Sequence, residues 1–414
     1  MRRRDWIDLA AVAAIATLTN FIHFFLCDAD FFFPDSFTYL APAQNLLRGL
    51  GFFEGPGVVE TMRTPGYPFL LALFGTHPLP VIVLQHLLNV AMVGGVYLIT
   101  RRRVSRPAAL VAAVLLAIDT PTIHVANKIL SETLFTAVLF VVFLLALDAR
   151  HLIATGALTG ALVLIRPVAI AYFAVLAAYF IWRRLRPKQI AAFICVSLVL
   201  PLGWALRNAY HTGVFTVASI SGTNLLGHRA AGVLAILDGG NFDDALARRR
   251  AELQARANAE VVEEEDVENA VDVDHAVMAR YHARMAWPIL LRHPIALAEL
   301  TARGALINLF DSRWDALAMV SRLPQRWVRI AVVTLTVALF ILFVFGMIIL
   351  WQRDRALALL IGGTVGYFIL IAAGGESEWR FRVPVMPEYA IAAGSGLSFV
   401  LFSPTRRKKY EGKA

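Results

Sequence analysis

The sequence has few cysteines and few charged residues, and both shortages narrow the kinds of protein that it can encode. Its 414 residues include only two cysteines, Cys27 and Cys195, which lie far apart and each adjoin an apolar run. Such a pair supports neither a disulfide framework nor a thiolate metal site. Charged residues make up 17% of the chain and hydrophobic residues 58%, which indicates an integral membrane protein.

Motifs for zinc hydrolysis and for nucleotide binding are also missing. The ten histidines form no His-Glu-x-x-His arrangement, and no glycine-rich phosphate loop lies between a strand and a helix pattern. The net charge of +9 does not indicate nucleic-acid binding, because most of the basic excess lies in short clusters at the ends of apolar segments. Arg2, Arg3 and Arg4 followed by an apolar stretch resemble the start of a signal peptide, but no small-residue cleavage site follows. Residues 6–27 are therefore predicted to be a retained membrane helix.

Apolar runs that approach the roughly 20 residues needed to cross a bilayer as helix recur along the chain. They predict an all-α polytopic membrane protein with about ten transmembrane helices. With a cytoplasmic amino terminus, 19 of the 39 basic residues fall in short inner segments, as the positive-inside rule requires. Both termini are therefore predicted to be cytoplasmic, with the protein in the inner (cytoplasmic) membrane. The candidate spans are 6–27, 79–100, 107–119, 132–148, 151–165, 168–182, 189–206, 328–351, 356–373 and 385–402.

Two long outer segments divide the chain into three parts. Residues 1–206 form an amino-terminal transmembrane module, whose first outer segment (28–78) is predicted to hold one or two interfacial helices. Residues 207–327 form a helical outer elaboration, with an acidic run interpreted as a solvated helix face and a stretch at 286–310 that is either interfacial or re-entrant. Residues 328–414 form the last transmembrane helices and a basic cytoplasmic tail.

Asp35, in Pro34-Asp35-Ser36, directly precedes a helical pattern, and two roles are open to it. It can cap the helix by accepting backbone N–H bonds, or it can act as a general base toward an incoming hydroxyl or amine. Charges held at membrane depth cost about 2.5 to 3.5 kcal/mol each on insertion scales and tend to persist for a function.

Six basic residues are predicted to lie near one outer membrane level. A guanidinium group recognises phosphate through planar, bidentate bonds, whereas snorkelling to lipid headgroups would explain single residues. The set favours a phosphate site and consists of Arg63, Lys128, Arg166, Arg207, Arg380 and Arg382.

Acidic residues near the same level have less specific signals. Glu376 to Pro384 is a mixed-charge stretch that predicts either a ligand-contacting lid or an internal ion-pair network. Glu132 is interpreted as a cap-region acid at the start of its span rather than a catalyst. Asp28 and Asp30 have a spacing that binds a divalent metal ion such as Mg or Mn in many nucleotide-sugar transferases, but two acids at that spacing often arise by chance.

The order of several short motifs resembles the C-type (GT-C) membrane glycosyltransferases, most strongly the protein-mannosyltransferase and aminoarabinose-transferase branch. The resemblance extends from residue 6 to 402, and the shared order of the motifs carries it. The motifs are Pro34-Asp35-Ser36 with Tyr39, Asn45-Leu46-Leu47, Arg63-Thr64-Pro65-Gly66-Tyr67-Pro68, Ser131-Glu132-Thr133, Arg207-Asn208 with Gly213, and Arg380-Phe381-Arg382-Val383-Pro384.

The resemblance implies an enzyme that transfers a sugar, with inversion, from a polyprenyl-phosphate carrier on the extracytoplasmic face. It implies that Asp35 is the catalytic base, while Ser36 replaces the charged neighbour of many relatives and puts a metal role in doubt. The expected partners are the polyprenyl-phosphate-sugar donor, an acceptor that is a lipid, glycan or protein, and membrane lipids, but no nucleic acid. The predicted donor-phosphate contacts are Arg63, Lys128, Arg207, Arg380 and Arg382, supported by Tyr39, Glu132, Arg166 and Glu378.

Two other classes of protein would also explain these charged residues. They are a transporter or flippase of polyprenyl-linked glycans and a glycan polymerase. A transporter would more often show inverted halves and helices broken at the membrane midplane. The charges cluster instead on the outer side, which favours the transferase.

Overall fold

The chain is almost entirely α-helical in the computed structural model, which describes residues 3–26, 31–55, 57–311 and 325–402. Short 3₁₀ or π turns occur at Pro167–Ala169, Leu225–Ala230, Ala270–Asp272 and Trp379–Val385. The α-helices of the described residues are α1 (Arg3–Leu26), α2 (Ser36–Leu47), α3 (Gly66–Leu73), α4 (Pro78–Arg103), α5 (Arg106–Ala117), α6 (Thr120–Ala126), α7 (Glu132–Asp148), α8 (Leu152–Ile165), α9 (Tyr172–Trp182), α10 (Pro187–Thr212), α11 (Ile220–Asn224), α12 (Ala231–Asp238), α13 (Phe242–Glu265), α14 (His275–Arg292), α15 (Pro294–Phe310), α16 (Gln325–Arg353), α17 (Arg355–Ile371) and α18 (Met386–Phe402).

One small hairpin accompanies the helices and was not predicted. Strands β1 (Phe53–Gly55) and β2 (Val58–Val59) pair antiparallel in the first outer segment. Gly57, in the turn between them, has a φ of +77°, a conformation that residues with a side chain rarely adopt.

Fewer helices than predicted are long enough to cross a bilayer alone. Among the described residues, five helical segments have the required length and hydropathy, namely α1, α4, α10, α16 and the stretch Trp379–Phe402 that includes α18. Helices α5 and α6 give a sixth if this pair, bent by 52°, counts as one broken span. The bend has a local cause, because Asp119 accepts a hydrogen bond from the Thr122 amide and starts a new helix with Pro121 in its first turn. The polytopic helical architecture is confirmed, whereas the number ten stays a prediction.

Four apolar cores hold the described elements together. The largest lies among the membrane helices, including α4, α5, α7, α9, α17 and α18. A second core lies among the outer helices α12 to α15. A third lies beneath the first outer segment and joins Tyr39 of α2 and Tyr67 of α3 to Ile82 of α4. A fourth, smaller core joins Val125 of α6 to Trp379.

Helices α16 and α18 approach each other closely, because glycines take the place of larger side chains where they cross. A Cβ atom on Gly346 would overlap the backbone carbonyl of Ala392, and one on Gly396 would overlap that of Leu342. Small residues at such crossings let helix backbones approach in a membrane, where no hydrophobic effect drives the helices together.

We expect Gly346→Ala to lower the free energy of unfolding by about 1 to 3 kcal/mol, the usual cost of an overpacked contact. Gly366→Ala is the matched control, because a Cβ on Gly366 in α17 would meet nothing within 4 Å. Alanine exceeds glycine in helix propensity by up to about 1 kcal/mol, so the control is expected to be neutral or slightly stabilising. Thermal unfolding of both variants in detergent measures the difference, and equal unfolding midpoints would contradict the close crossing.

Candidate active site

The start of α2 is fixed by Ser36, which is fully buried. Its hydroxyl donates a hydrogen bond to the carbonyl of Ile129 (2.8 Å) and accepts one from the amide of Phe33 (2.9 Å). These bonds hold the beginning of α2 against the segment that precedes α7. Asp35, the residue before Ser36, is thereby fixed at the outer end of the bundle.

Asp35 binds two arginines instead of capping α2. Its side chain makes no capping hydrogen bond to the helix, so the capping alternative is wrong. Oδ1 lies 2.9 Å from Nη2 of Arg63, and Oδ2 lies 2.9 Å from Nη2 of Arg380. Each carboxylate oxygen thus contacts one guanidinium group.

Arg380 extends this contact into a larger ion-pair network. Its Nη1 lies 3.4 Å from Glu132 Oε1, and its Nε lies 2.7 Å from Glu378 Oε2. Glu132 also binds Arg166, with 2.7 Å between Oε2 and Nη1. We call these six side chains the charge cluster; its members are Asp35, Arg63, Glu132, Arg166, Glu378 and Arg380.

The charge cluster is electrically balanced but unevenly exposed. It has three carboxylates and three arginines. The side chain of Glu132 is 1% exposed, whereas those of Asp35 and Glu378 are 31% and 33% exposed. Only the last two carboxylates can therefore meet a molecule that arrives from outside.

The two arginines keep Asp35 ionised. Burial raises the pKa of this carboxyl, but the charges and hydrogen bonds of Arg63 and Arg380 lower it by more, so the net pKa is below its usual value. Asp35 can thus accept a proton at neutral pH. Its proton affinity depends on how tightly the two guanidinium groups hold it.

Polar and aromatic neighbours orient Arg63. Its Nε donates to Thr38 Oγ1 (2.8 Å), and its guanidinium carbon lies 4.7 Å from the centre of the Tyr39 ring. The Tyr39 hydroxyl lies 3.1 Å from Ser131 Oγ, which also accepts a hydrogen bond from Arg166. Sequence reasoning gave no site role to Thr38 or to Ser131, although it quoted Ser131 in a motif and each lies within three residues of a predicted site residue.

Three predicted phosphate contacts lie elsewhere. Arg207 donates to the carbonyls of Phe52 (2.7 Å) and Glu60 (2.9 Å), and so ties the end of α10 to the first outer segment. Arg382 is 3% exposed and donates to the carbonyl of Leu309. Lys128 is 9% exposed.

No metal site emerges from the part of the chain that the structure describes. Within those residues, no three His, Cys, Asp or Glu side chains are grouped as a metal ion requires. Asp28 and Asp30, the weak sequence candidates, lie outside the described residues.

A cavity of about 830 Å³ adjoins the charge cluster. Tyr39, Arg63 and Arg166 line one part of it, and Asp35 adjoins the cavity through its contact with Arg63. The membrane helices contribute apolar side chains such as Phe368. Residues from the outer helices complete the wall, including Arg229, Arg280, Trp287 and Glu376.

Glu60 is a second buried acid that supports the site, because it fixes the turn that carries Arg63. Its side chain is almost fully buried, and Oε1 accepts a hydrogen bond from the Arg63 amide (2.8 Å). Burial raises the pKa of Glu60 to about 7, against the lowering effect of the hydrogen bonds from the Arg63 and Met62 amides.

The raised pKa predicts a pH-dependent contribution to stability. The pKa of about 7 in the folded protein exceeds the ordinary value of 4.5, so the folded state binds the proton more tightly. The contribution is therefore complete below pH 4.5, is lost as the pH rises through about 7, and amounts to about 3 kcal/mol. Glu60→Gln keeps the accepting oxygen but cannot titrate. We expect the wild-type unfolding free energy to fall relative to this variant over that range, and parallel pH profiles would contradict the assignment.

Comparison with known proteins gives a family-model match over one third of the chain and a similar fold among solved structures. Residues 67–204 match the family model described as dolichyl-phosphate-mannose-protein mannosyltransferase. No curated protein sequence matches the chain.

Among solved structures, the fold is similar to the oligosaccharyltransferase AglB from Archaeoglobus fulgidus in complex with an inhibitory peptide and a dolichol-phosphate. The TM-score is 0.53 at 14% identity, over 98% of this chain and 52% of AglB. The apo form of the same enzyme gives 0.50, also at 14% identity, over 98% of this chain and 52% of that one. ArnT from Cupriavidus metallidurans bound to undecaprenyl phosphate gives 0.42 at 14% identity, over 100% of this chain and 81% of ArnT.

This chain spans about half the length of AglB. Structural matches at 14% identity show a shared fold and do not show a shared substrate. Together, the family match and the shared fold confirm the predicted resemblance: this chain has the fold of the GT-C membrane glycosyltransferases.

Proposed function

We propose that the protein is an inverting glycosyltransferase that moves a sugar from a polyprenyl-phosphate-linked donor to an acceptor on the extracytoplasmic face of the membrane. The observation that carries the proposal is the pairing of Asp35 with Arg63 and Arg380 beside a largely apolar cavity. The description of the matching family and the dolichol-phosphate in the similar AglB structure support this class of donor.

In this proposal, Arg63 and Arg166 bind the donor phosphate, because both line the cavity. Breaking the bond between the anomeric carbon and the phosphate oxygen leaves that bond's electron pair, and hence negative charge, on the phosphate. Preorganised guanidinium groups in a water-poor site stabilise such charge by several kcal/mol. The chemistry then needs neither a nucleotide nor ATP.

Asp35 is the proposed base. A donor phosphate bound to Arg63 draws part of that guanidinium's charge away from Asp35, and this raises the proton affinity of the carboxylate. The acceptor hydroxyl or amine then gives its proton to Asp35 as its oxygen or nitrogen bonds to the anomeric carbon. Attack from the face opposite the phosphate inverts the configuration.

The remaining members of the predicted site receive positioning roles. Glu132 and Glu378 hold Arg380, and Tyr39 stacks on Arg63. The contacts of Arg207 and Arg382 with backbone carbonyls favour roles in fixing loops, and Lys128 stays a predicted phosphate contact.

The proposed orientation places both termini on the cytoplasmic side of the inner membrane. Ion pairs at the opposite end of the bundle support it, because Arg101 binds Asp5 and Arg106 binds Asp8 there. Basic residues at that end agree with the positive-inside rule.

The test is to incubate the purified, reconstituted protein with a panel of labelled polyprenyl-phosphate sugars, with and without a chelator, and to identify the released carrier by mass. Release of carrier from one donor, together with a glycosylated acceptor, is the expected result. Movement of an intact lipid-linked glycan between leaflets, with no bond broken for any donor, would overturn the transferase and favour a transporter. Loss of activity with chelator would show that a metal ion takes part.

A further inference from the structure

The exposed face of α14 changes its chemistry halfway along the helix. In its first half, Arg280 pairs with Glu265 (2.9 Å) and Arg284 pairs with Glu264 (2.7 Å). Both arginine side chains are at least half exposed. Ion pairs of this kind between α14 and the end of α13 are typical of a surface in water.

One helical turn later, the exposed residues become apolar. Trp287 is 53% exposed, Leu291 is 74% exposed and Ile295, at the start of α15, is 83% exposed. Arg280, Arg284, Trp287 and Leu291 follow one another at intervals of three or four residues and so share one face of α14, and Ile295 follows just after the turn at His293. A single row thus passes from charged to apolar.

This apolar row is not an incompletely buried part of the outer core. The core among α12 to α15 is filled from the other side of the same helices by residues such as Ala286, Leu290, Ala296 and Leu300. The two helices are therefore apolar on two sides around the turn at His293. The second apolar side needs an apolar partner of its own.

The neighbouring membrane helix indicates what that partner is. α14 contacts α10, which is one of the helices long and apolar enough to span a bilayer. On α10, Leu206 is 62% exposed and Tyr210, one turn further out, is 86% exposed. Large side chains are thus exposed both on a helix of membrane-spanning length and on the outer helix that contacts it.

We propose that the turn between α14 and α15 is inserted into the outer leaflet of the bilayer, with Leu291 and Ile295 among the acyl chains and Trp287 at the headgroup level. Tryptophan is enriched at that level because its ring is apolar and its N–H is polar. The exposed Arg292 can extend its charge back to the headgroups along its apolar stem. Arg280 and Arg284 then stay in water.

The proposal also places one end of the cavity. Trp287 lines the cavity as well as belonging to the exposed row. Insertion of the turn therefore puts that part of the cavity wall at the lipid surface, whatever reaction the cavity serves.

The test uses single spin labels on the full chain in phosphatidylcholine and phosphatidylglycerol vesicles, after replacement of Cys27 and Cys195 by serine. Leu291→Cys carries the test label. Val271→Cys is the control, because Val271 is an equally apolar outer residue that is 92% exposed but lies beside the acidic end of α13. Collision rates with oxygen, which concentrates in lipid, are compared with those of a water-soluble nickel chelate.

At position 291 we expect the collision rate with oxygen to exceed that with the nickel chelate. At position 271 we expect the collision rate with the nickel chelate to be the higher one. A water-like ratio at 291 would overturn the insertion. Ile295→Cys gives the same measurement on the other side of the turn if Leu291→Cys does not fold. Sugar transfer is not part of the readout, so failure of the proposed function would leave this result unchanged.

Discussion

Asp35→Asn is expected to lower the turnover number for sugar transfer by about 10²- to 10⁴-fold, the usual contribution of a general base. Asparagine has nearly the same shape but cannot accept the acceptor's proton. The change also frees Arg63 and Arg380 from a negative partner. Both then attract the donor phosphate more strongly, so KM for the donor should stay unchanged or fall. Steady-state kinetics with a labelled donor separate these two effects.

Glu378→Gln is the matched control for that experiment. Glu378 also binds Arg380, and its side chain is 33% exposed against 31% for Asp35. It does not, however, contact Arg63, which lines the cavity. We expect this variant to keep most of its activity. Full activity in Asp35→Asn, or an equal loss in both variants, would remove the base role from Asp35.

Arg380→Met is expected to lower the free energy of unfolding by about 3 kcal/mol, near the lower end of the cost of breaking a buried ion pair. The substitution removes one positive charge that three carboxylates share, and Glu132 among them is almost completely enclosed. The lower end applies because Asp35 keeps Arg63 and Glu132 keeps Arg166. Thermal or chemical unfolding in detergent measures the loss.

Two further variants make this prediction specific. Arg380→Lys keeps the charge but not the planar fork that reaches three partners, so it should fall between the wild type and Arg380→Met. Adding Glu132→Gln to Arg380→Met restores the charge balance of the cluster and should recover part of the lost stability. A double variant no more stable than Arg380→Met would argue against the electrostatic explanation.

Hydropathy predicted helix limits well wherever apolar content alone decides them. The run at 132–148 coincides with α7 at both ends, and the run at 189–206 lies inside α10. The hairpin at β1 and β2 was missed, although its glycines were visible, because a strand of two or three residues has too little periodicity to detect. Helix α6 was missed because its short sequence mixes polar and apolar residues.

The candidate site was predictable in part, for a geometric reason. The sequence placed Arg63, Arg166, Arg207, Arg380 and Arg382 near one membrane level, and the structure brings the first, second and fourth together with Asp35. Depth in a membrane follows from the position of a residue along its helix. The direction of a side chain around the helix axis depends on which neighbours pack there, and a single sequence does not give those neighbours. The same limit applies to Glu132, whose two arginine partners come from distant parts of the chain.

Membrane insertion during synthesis must cope with the distance along the chain between Asp35 and Arg380. The ribosome completes Asp35 and Glu132 long before it reaches the arginine that bridges them. Until then, the translocon or surrounding water has to shelter these carboxylates, with Arg63 and Arg166 as their only nearby counterions from the cluster. A nascent chain arrested before its last outer segment would hold two carboxylates and two arginines as two separate pairs, Asp35 with Arg63 and Glu132 with Arg166, without the arginine that joins them.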